Sequence, residues 1–166
     1  MPYFELGSLA KFVWSNALAH VFQSCLKHAF LSIVILFQKS NLIHGDFHPG
    51  NVLLKRTKQS EVLYAVPGVG EFSIKTHGLH TWIMDFENMR YAEYSPAFAV
   101  IKSFNDFYYD IQKFFMLLYN TIKNLDQRTI SPIVSYLSKK SIDSNYLTKS
   151  DIDAIFAYVD AIKFMN

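Results

Sequence analysis

The chain has 166 residues, 51% of them hydrophobic, enough to bury a core as one domain spanning 1–166. Its 16 basic and 14 acidic residues leave a net charge of +2, which gives no electrostatic case for a nucleic acid or an anionic membrane as partner. The single cysteine, Cys25, excludes an internal disulfide and fits a reducing, intracellular compartment, cytoplasmic or nuclear.

In chain order, Gly7-Ser8 precedes Leu9 to Trp14, so Ser8 reads as the cap of a short helix. From about Asn16 to Lys39 apolar residues recur three and four apart, from Leu18 through Phe22, Leu26 and Phe30 to Phe37, predicting a long buried helix. The longest apolar run, Ala29 to Phe37, is interrupted at Ser32 and falls short of the roughly 20 residues a bilayer span needs. Met1 to Glu5 lacks the positive start of a signal peptide, so neither a transmembrane helix nor a leader is expected.

Val52-Leu53-Leu54 reads as a short buried strand, and Thr81 to Met84 as another. Between them, Val62–Val66 and Glu71–Ile74 flank Pro67-Gly68-Val69-Gly70, the pattern of a β-hairpin. An irregular stretch then runs to about Asn105, and a helix from about Phe107 to Lys123. Two more helices follow Asp126. Ser131-Pro132 reads as the cap and first residue of one, and Thr148 to Asp151 as the capping-box start of the other. The expected fold is therefore mainly α with short β-hairpins, an α+β chain with its chemistry in 41–87 and a helical part over 107–166.

That chemistry is concentrated in Leu42-Ile43-His44-Gly45-Asp46-Phe47-His48-Pro49-Gly50-Asn51 and in Asp85-Phe86-Glu87. Asp46 can accept the proton of an attacking hydroxyl, while Asn51 and Asp85 offer hard oxygen donors suited to magnesium. Pro49-Gly50 bends the chain so that amide and acid can face one volume. A lone Asp in such a turn is usually a turn former. Acid, amide and second acid in this order, each beside an apolar strand, form a set that phosphoryl transfer from a magnesium nucleotide requires. His44 and His48 are four apart, but Gly45 and Pro49 argue against a helix across them and hence against a zinc pair.

These motifs resemble the catalytic loop and metal-binding motif of the protein-kinase-like superfamily, H-x-D-x-x-x-x-N followed by D-F-x. From Phe4 to about Lys123 the chain is most similar to the C-terminal lobe of haspin-like protein kinases. Asn51 to Lys55, the hairpin insertion with Gly78-Leu79, and an Asp85-Phe86-Glu87 that lacks the usual glycine all follow that pattern. The resemblance implies ATP and Mg2+ as cofactors, Asp46 as base, and Asn51 and Asp85 as metal ligands. It also implies nucleotide contacts from Leu53, Met84 and Glu5, the last within a hinge-like segment over 1–7. His44 would be structural, His48 would stand where many protein kinases carry a lysine, and Tyr109-Asp110-Ile111 would open the central helix whose aspartate holds the catalytic loop.

No glycine-rich loop, strand lysine or αC glutamate is found, which implies a C-terminal lobe without its N-terminal lobe. A partner supplying the small lobe, a protein substrate, or membership of a larger assembly is the expected company. The same motifs are similar to those of aminoglycoside and choline phosphotransferases and, more loosely, of kinase-like proteins of large DNA viruses. Three readings therefore compete: the large lobe of a protein Ser/Thr kinase, a small-molecule kinase with an acceptor pocket between Asp126 and Asn166, and a non-catalytic kinase-like protein.

Overall fold

A computed structural model of the protein describes residues 6–92, 99–143 and 147–165. These form an α+β arrangement of four helices and three two-stranded antiparallel pairs. The helices are α1 (Ala19–Ser40), α2 (Ala99–Thr121), α3 (Gln127–Asp143) and α4 (Lys149–Asp160). The strands are β1 (Leu42–Ile43), β2 (Val52–Arg56), β3 (Glu61–Val66), β4 (Gly70–Lys75), β5 (Leu79–Ile83) and β6 (Arg90–Tyr91).

Helix α1 is the hub, packing against β1, β3, β4, β5 and α4. Its apolar residues cover more than one face, so Phe22, Cys25, Leu26, Ala29, Leu31 and Val34 are all fully buried. It ends at Asn41, whose left-handed φ of 55° lets its N–H bond Phe37 O at 2.7 Å, a conformation asparagine tolerates. By length and composition, Asn16–Ser40 could cross a bilayer, which the nine-residue run alone does not suggest. Of that apolar window, 67% is buried inside the chain, as in the core helix of a globular domain.

Pairing follows the apolar runs. β2 lies against β5 with Val52 opposite Ile83 and Arg56 opposite Leu79. β3 and β4 form the expected hairpin around Pro67-Gly68-Val69, and its buried Phe72 and Ile74 alternate with exposed neighbours. β1 pairs with β6, which the sequence leaves irregular, because two residues carry no readable periodicity. Three further expectations need correction. Ser8 caps no helix: it starts a turn, accepting the amides of Lys11 and Phe12, and bridges to Leu53. α2 begins at Ala99 rather than near Phe107. α3 begins at Gln127, so Pro132 lies inside it; Asp126 precedes the helix and accepts the Arg128 amide at 3.1 Å.

The capping box at α4 is present, with Thr148 and Asp151 bonding each other's backbone amides. α2 seals the core beneath the 44–51 loop. Phe114 stacks on Phe47 at 4.3 Å and Phe107 on Phe37 at 4.2 Å between ring centroids.

Candidate functional site

The loop after β1 is held from three sides. His44 is buried; its Nε2–H donates to Met84 O at 2.9 Å, and its Nδ1 accepts the Asp46 amide at 3.3 Å. Because Nδ1 accepts, the proton sits on Nε2. Gly45 has a φ of +82° and donates its amide to Asp110 Oδ2 of α2 at 2.8 Å. A Cβ there would lie 2.4 Å from Asn88 O, so only glycine fits. Phe47 then plugs the loop into the core, fully buried.

The next residues turn back. His48 Nδ1 accepts the Gly50 amide at 3.1 Å, and Pro49–Asn51 form one 3-10 turn closed by Asn51 N to His48 O at 2.9 Å. The Asn51 side chain is buried and donates from Nδ2 to Asp46 O at 3.0 Å, spanning the four residues between them. Asn51 O in turn accepts the Met84 amide at 2.9 Å. Asp85, one residue on, therefore leaves the β5 end beside Asn51, exposed and with a φ of 63° that aspartate accommodates better than most residues. Asp46, Asn51 and Asp85 are thus gathered through the backbone contacts of one loop and one strand pair.

The Asp46 carboxylate has two nitrogen neighbours, one of them an ammonium. Lys113 Nζ of α2 lies 3.2 Å from Oδ1, and His48 Nε2 lies 3.5 Å from Oδ2. Sequence reasoning missed Lys113. The signal was available in retrospect: it stands three residues after Asp110 on one helix, so both face the same loop. Burial raises the pKa of the Asp110 carboxyl, opposed by the Gly45 amide and by the positive charges of Arg90 and Lys113.

Leu53 and Met84 lie on one face of the β2–β5 pair with Trp82, since Leu53 is opposite Trp82 and side chains alternate along a strand. Leu53 is half-buried, while Trp82 and Met84 are 49% and 42% exposed. Phe86 and Met89, after the turn at Asp85, are exposed as well. Glu5 lies outside the described residues, as does Phe4 of the hinge-like segment. Leu6 and Gly7 are described: Gly7 O accepts the Leu54 amide at 2.9 Å, so this segment runs alongside β2.

Neither the protein-family models nor the curated proteins contain a match to this chain. Among the described residues no three His, Cys, Asp or Glu side chains gather into a metal-binding group. Magnesium is usually bound by one or two protein oxygens together with substrate phosphates and waters, and the side chains of Asn51 and Asp85 carry oxygens of that type.

Proposed function

We propose that this chain is the large lobe of a phosphotransferase that moves the terminal phosphoryl group of ATP to a hydroxyl, in the manner of haspin-like protein kinases. The observation that carries this reading is the closed circuit Asp46–Asn51–Met84–His44, anchored by Gly45 to Asp110. A turn former needs no such circuit. It ties the backbone at Asp46 to Asn51 and to Met84, the residue before Asp85, which supports a preorganised site. In the reaction the acceptor oxygen attacks the terminal phosphorus, its proton passes to the Asp46 carboxylate, and the bond to the bridging oxygen breaks. ADP leaves with the electron pair. When bound, magnesium held by Asn51 and Asp85 would offset the negative charge of the phosphates.

The acceptor we favour is a protein Ser or Thr hydroxyl. A small-molecule acceptor calls for a pocket between the C-terminal helices that reaches the base. The cavity of about 540 Å³ between α3 and α4 is lined by Tyr136, Lys139, Lys140, Asp151 and Tyr158, with none of Asp46, Asn51 or Asp85. The exposed side chains of Trp82, Met84, Phe86 and Met89 support a covering small lobe, from another chain or from upstream sequence. An intracellular setting, on the lone buried Cys25, belongs to the same proposal. The test is magnesium dependence. ATP should bind this chain weakly but only with Mg2+, and Asp85→Asn should remove that dependence; ATP binding that is indifferent to Mg2+ and to Asp85 overturns the reading.

A further inference from the structure

Transfer to a hydroxyl brings a carboxylate base and a polyanionic phosphoryl group close together, and the two repel unless a cation lies between them. The loop itself supplies no permanent cation, for there is no Lys or Arg between Asp46 and Leu54. His48 occupies the place where many protein kinases carry a lysine, but its Nδ1 is committed to the Gly50 amide and its Nε2 is 3.5 Å from Asp46. Lys113 comes from another element. Its Nζ reaches Asp46 Oδ1 at 3.2 Å, the side chain is 34% exposed, and Asp46 is its only ion-pair partner among the described residues. An ammonium has three donors, so one bond to Asp46 leaves two.

We propose that Lys113 is the phosphoryl-binding cation of this site, bridging Asp46 to an oxygen of the terminal phosphoryl group of a nucleoside triphosphate. The proposal rests on the phosphotransferase reading and adds to it a residue and a specificity. The site should prefer a triphosphate to a diphosphate because Lys113 meets only the group that is transferred. A lysine acts there as a point charge, and arginine can replace its charge in part. Were Lys113 only a strut for Asp46, its loss would weaken both nucleotides alike or neither.

The test is a nuclear magnetic resonance titration of the full chain, with Mg2+, against a non-hydrolysable ATP analogue and against ADP. Wild type, Lys113→Met, Lys113→Arg and Asp85→Asn are compared after their amide spectra show a retained fold. Lys113→Met should lose about tenfold in affinity for the triphosphate and less than about twofold for ADP, with Lys113→Arg recovering part of the preference. Equal losses for the two nucleotides, or none, overturn the role of Lys113 while leaving the phosphotransferase reading intact. If wild type binds neither nucleotide at millimolar concentration, or Asp85→Asn changes nothing, that reading falls and the role of Lys113 with it. Should Lys113→Met fail to fold, the triphosphate-to-diphosphate ratio of Lys113→Arg decides: a ratio below that of wild type supports the proposal and an unchanged ratio overturns it.

Discussion

Asp110 of α2 accepts the amide hydrogen of Gly45 at 2.8 Å, joining residues 65 apart in sequence and fixing the start of the loop that carries Asp46. The contact is part-buried, with Asp110 itself buried, and the acceptor is a carboxyl group. Asp110→Ala leaves the Gly45 N–H without its partner and should cost about 2–3 kcal/mol of folding stability. Asp110→Asn keeps an acceptor oxygen and should cost less. Chemical denaturation of the two variants checks the order, and equal losses would mean the bond contributes little.

Gly45→Ala should be poorly tolerated although it adds only one methyl group. It meets both the positive φ and the Asn88 carbonyl, so a loss of at least about 2 kcal/mol is expected, with broadened loop resonances. Phe47→Ala removes the fully buried ring that stacks on Phe114 and should cost about 3–5 kcal/mol. Thermal unfolding of both variants reads these effects.

Much of this site is legible in the sequence because its parts sit beside strong local signals. Val52-Leu53-Leu54 and the run ending at Met84 are apolar enough to read as strands, and their pairing brings Asn51 and Asp85 together. The α4 capping box is equally local, since Thr148 and Asp151 need only three residues to recognise each other. What stays hidden depends on tertiary contact. Arg90–Tyr91 becomes a strand only because Leu42–Ile43 lies beside it. Pro132 sits in the early part of α3, where sequence alone suggests a helix start. Lys113 has meaning only once α2 is docked under the loop. Ser8 looks like a cap until β2 offers it a bridge at Leu53.

The hairpin docks on α1 in part through His28, and this should make it sensitive to acid. His28 is fully buried, its ring nitrogens 2.9 Å from the Tyr64 hydroxyl and 3.3 Å from Lys75 O. Burial, and then the nearby His80, lower its pKa to about 4. Burial also lowers His80 and His77, the latter with help from His20 and Lys75. A depressed folded value means that the neutral ring stabilises the fold. That stability is complete above the unfolded value near 6.5 and is lost as pH falls toward 4. Hydrogen exchange of the β3–β4 amides should therefore accelerate from pH 7 to pH 4.5, after correction for intrinsic rates, well before α4 loosens. His28→Gln should flatten that dependence. An unchanged profile in the variant would remove His28 as its source.

At α4, burial works against ionisation of Asp151, but hydrogen bonds from Tyr136, Thr148 and Lys140 outweigh it and hold the pKa down to about 2. The capping box should thus survive to lower pH than the hairpin contacts. Thr148→Ala should cost about 1 kcal/mol, measured by denaturant midpoint, and a neutral outcome would show that the cap is redundant.

The central claim is that Asp46 serves chemistry while Asp85 serves nucleotide binding, and one paired measurement tests it most directly. Turnover and the Mg·ATP dissociation constant are measured on the same preparation of the assembled protein, for the parent, Asp46→Asn and Asp85→Asn. The account predicts that Asp46→Asn abolishes phosphoryl transfer with a dissociation constant within about threefold of the parent, since the change is nearly isosteric and removes only the base. Asp85→Asn should weaken the nucleotide first. An active parent whose two variants both keep normal turnover contradicts the assignment of this loop as a phosphotransfer site.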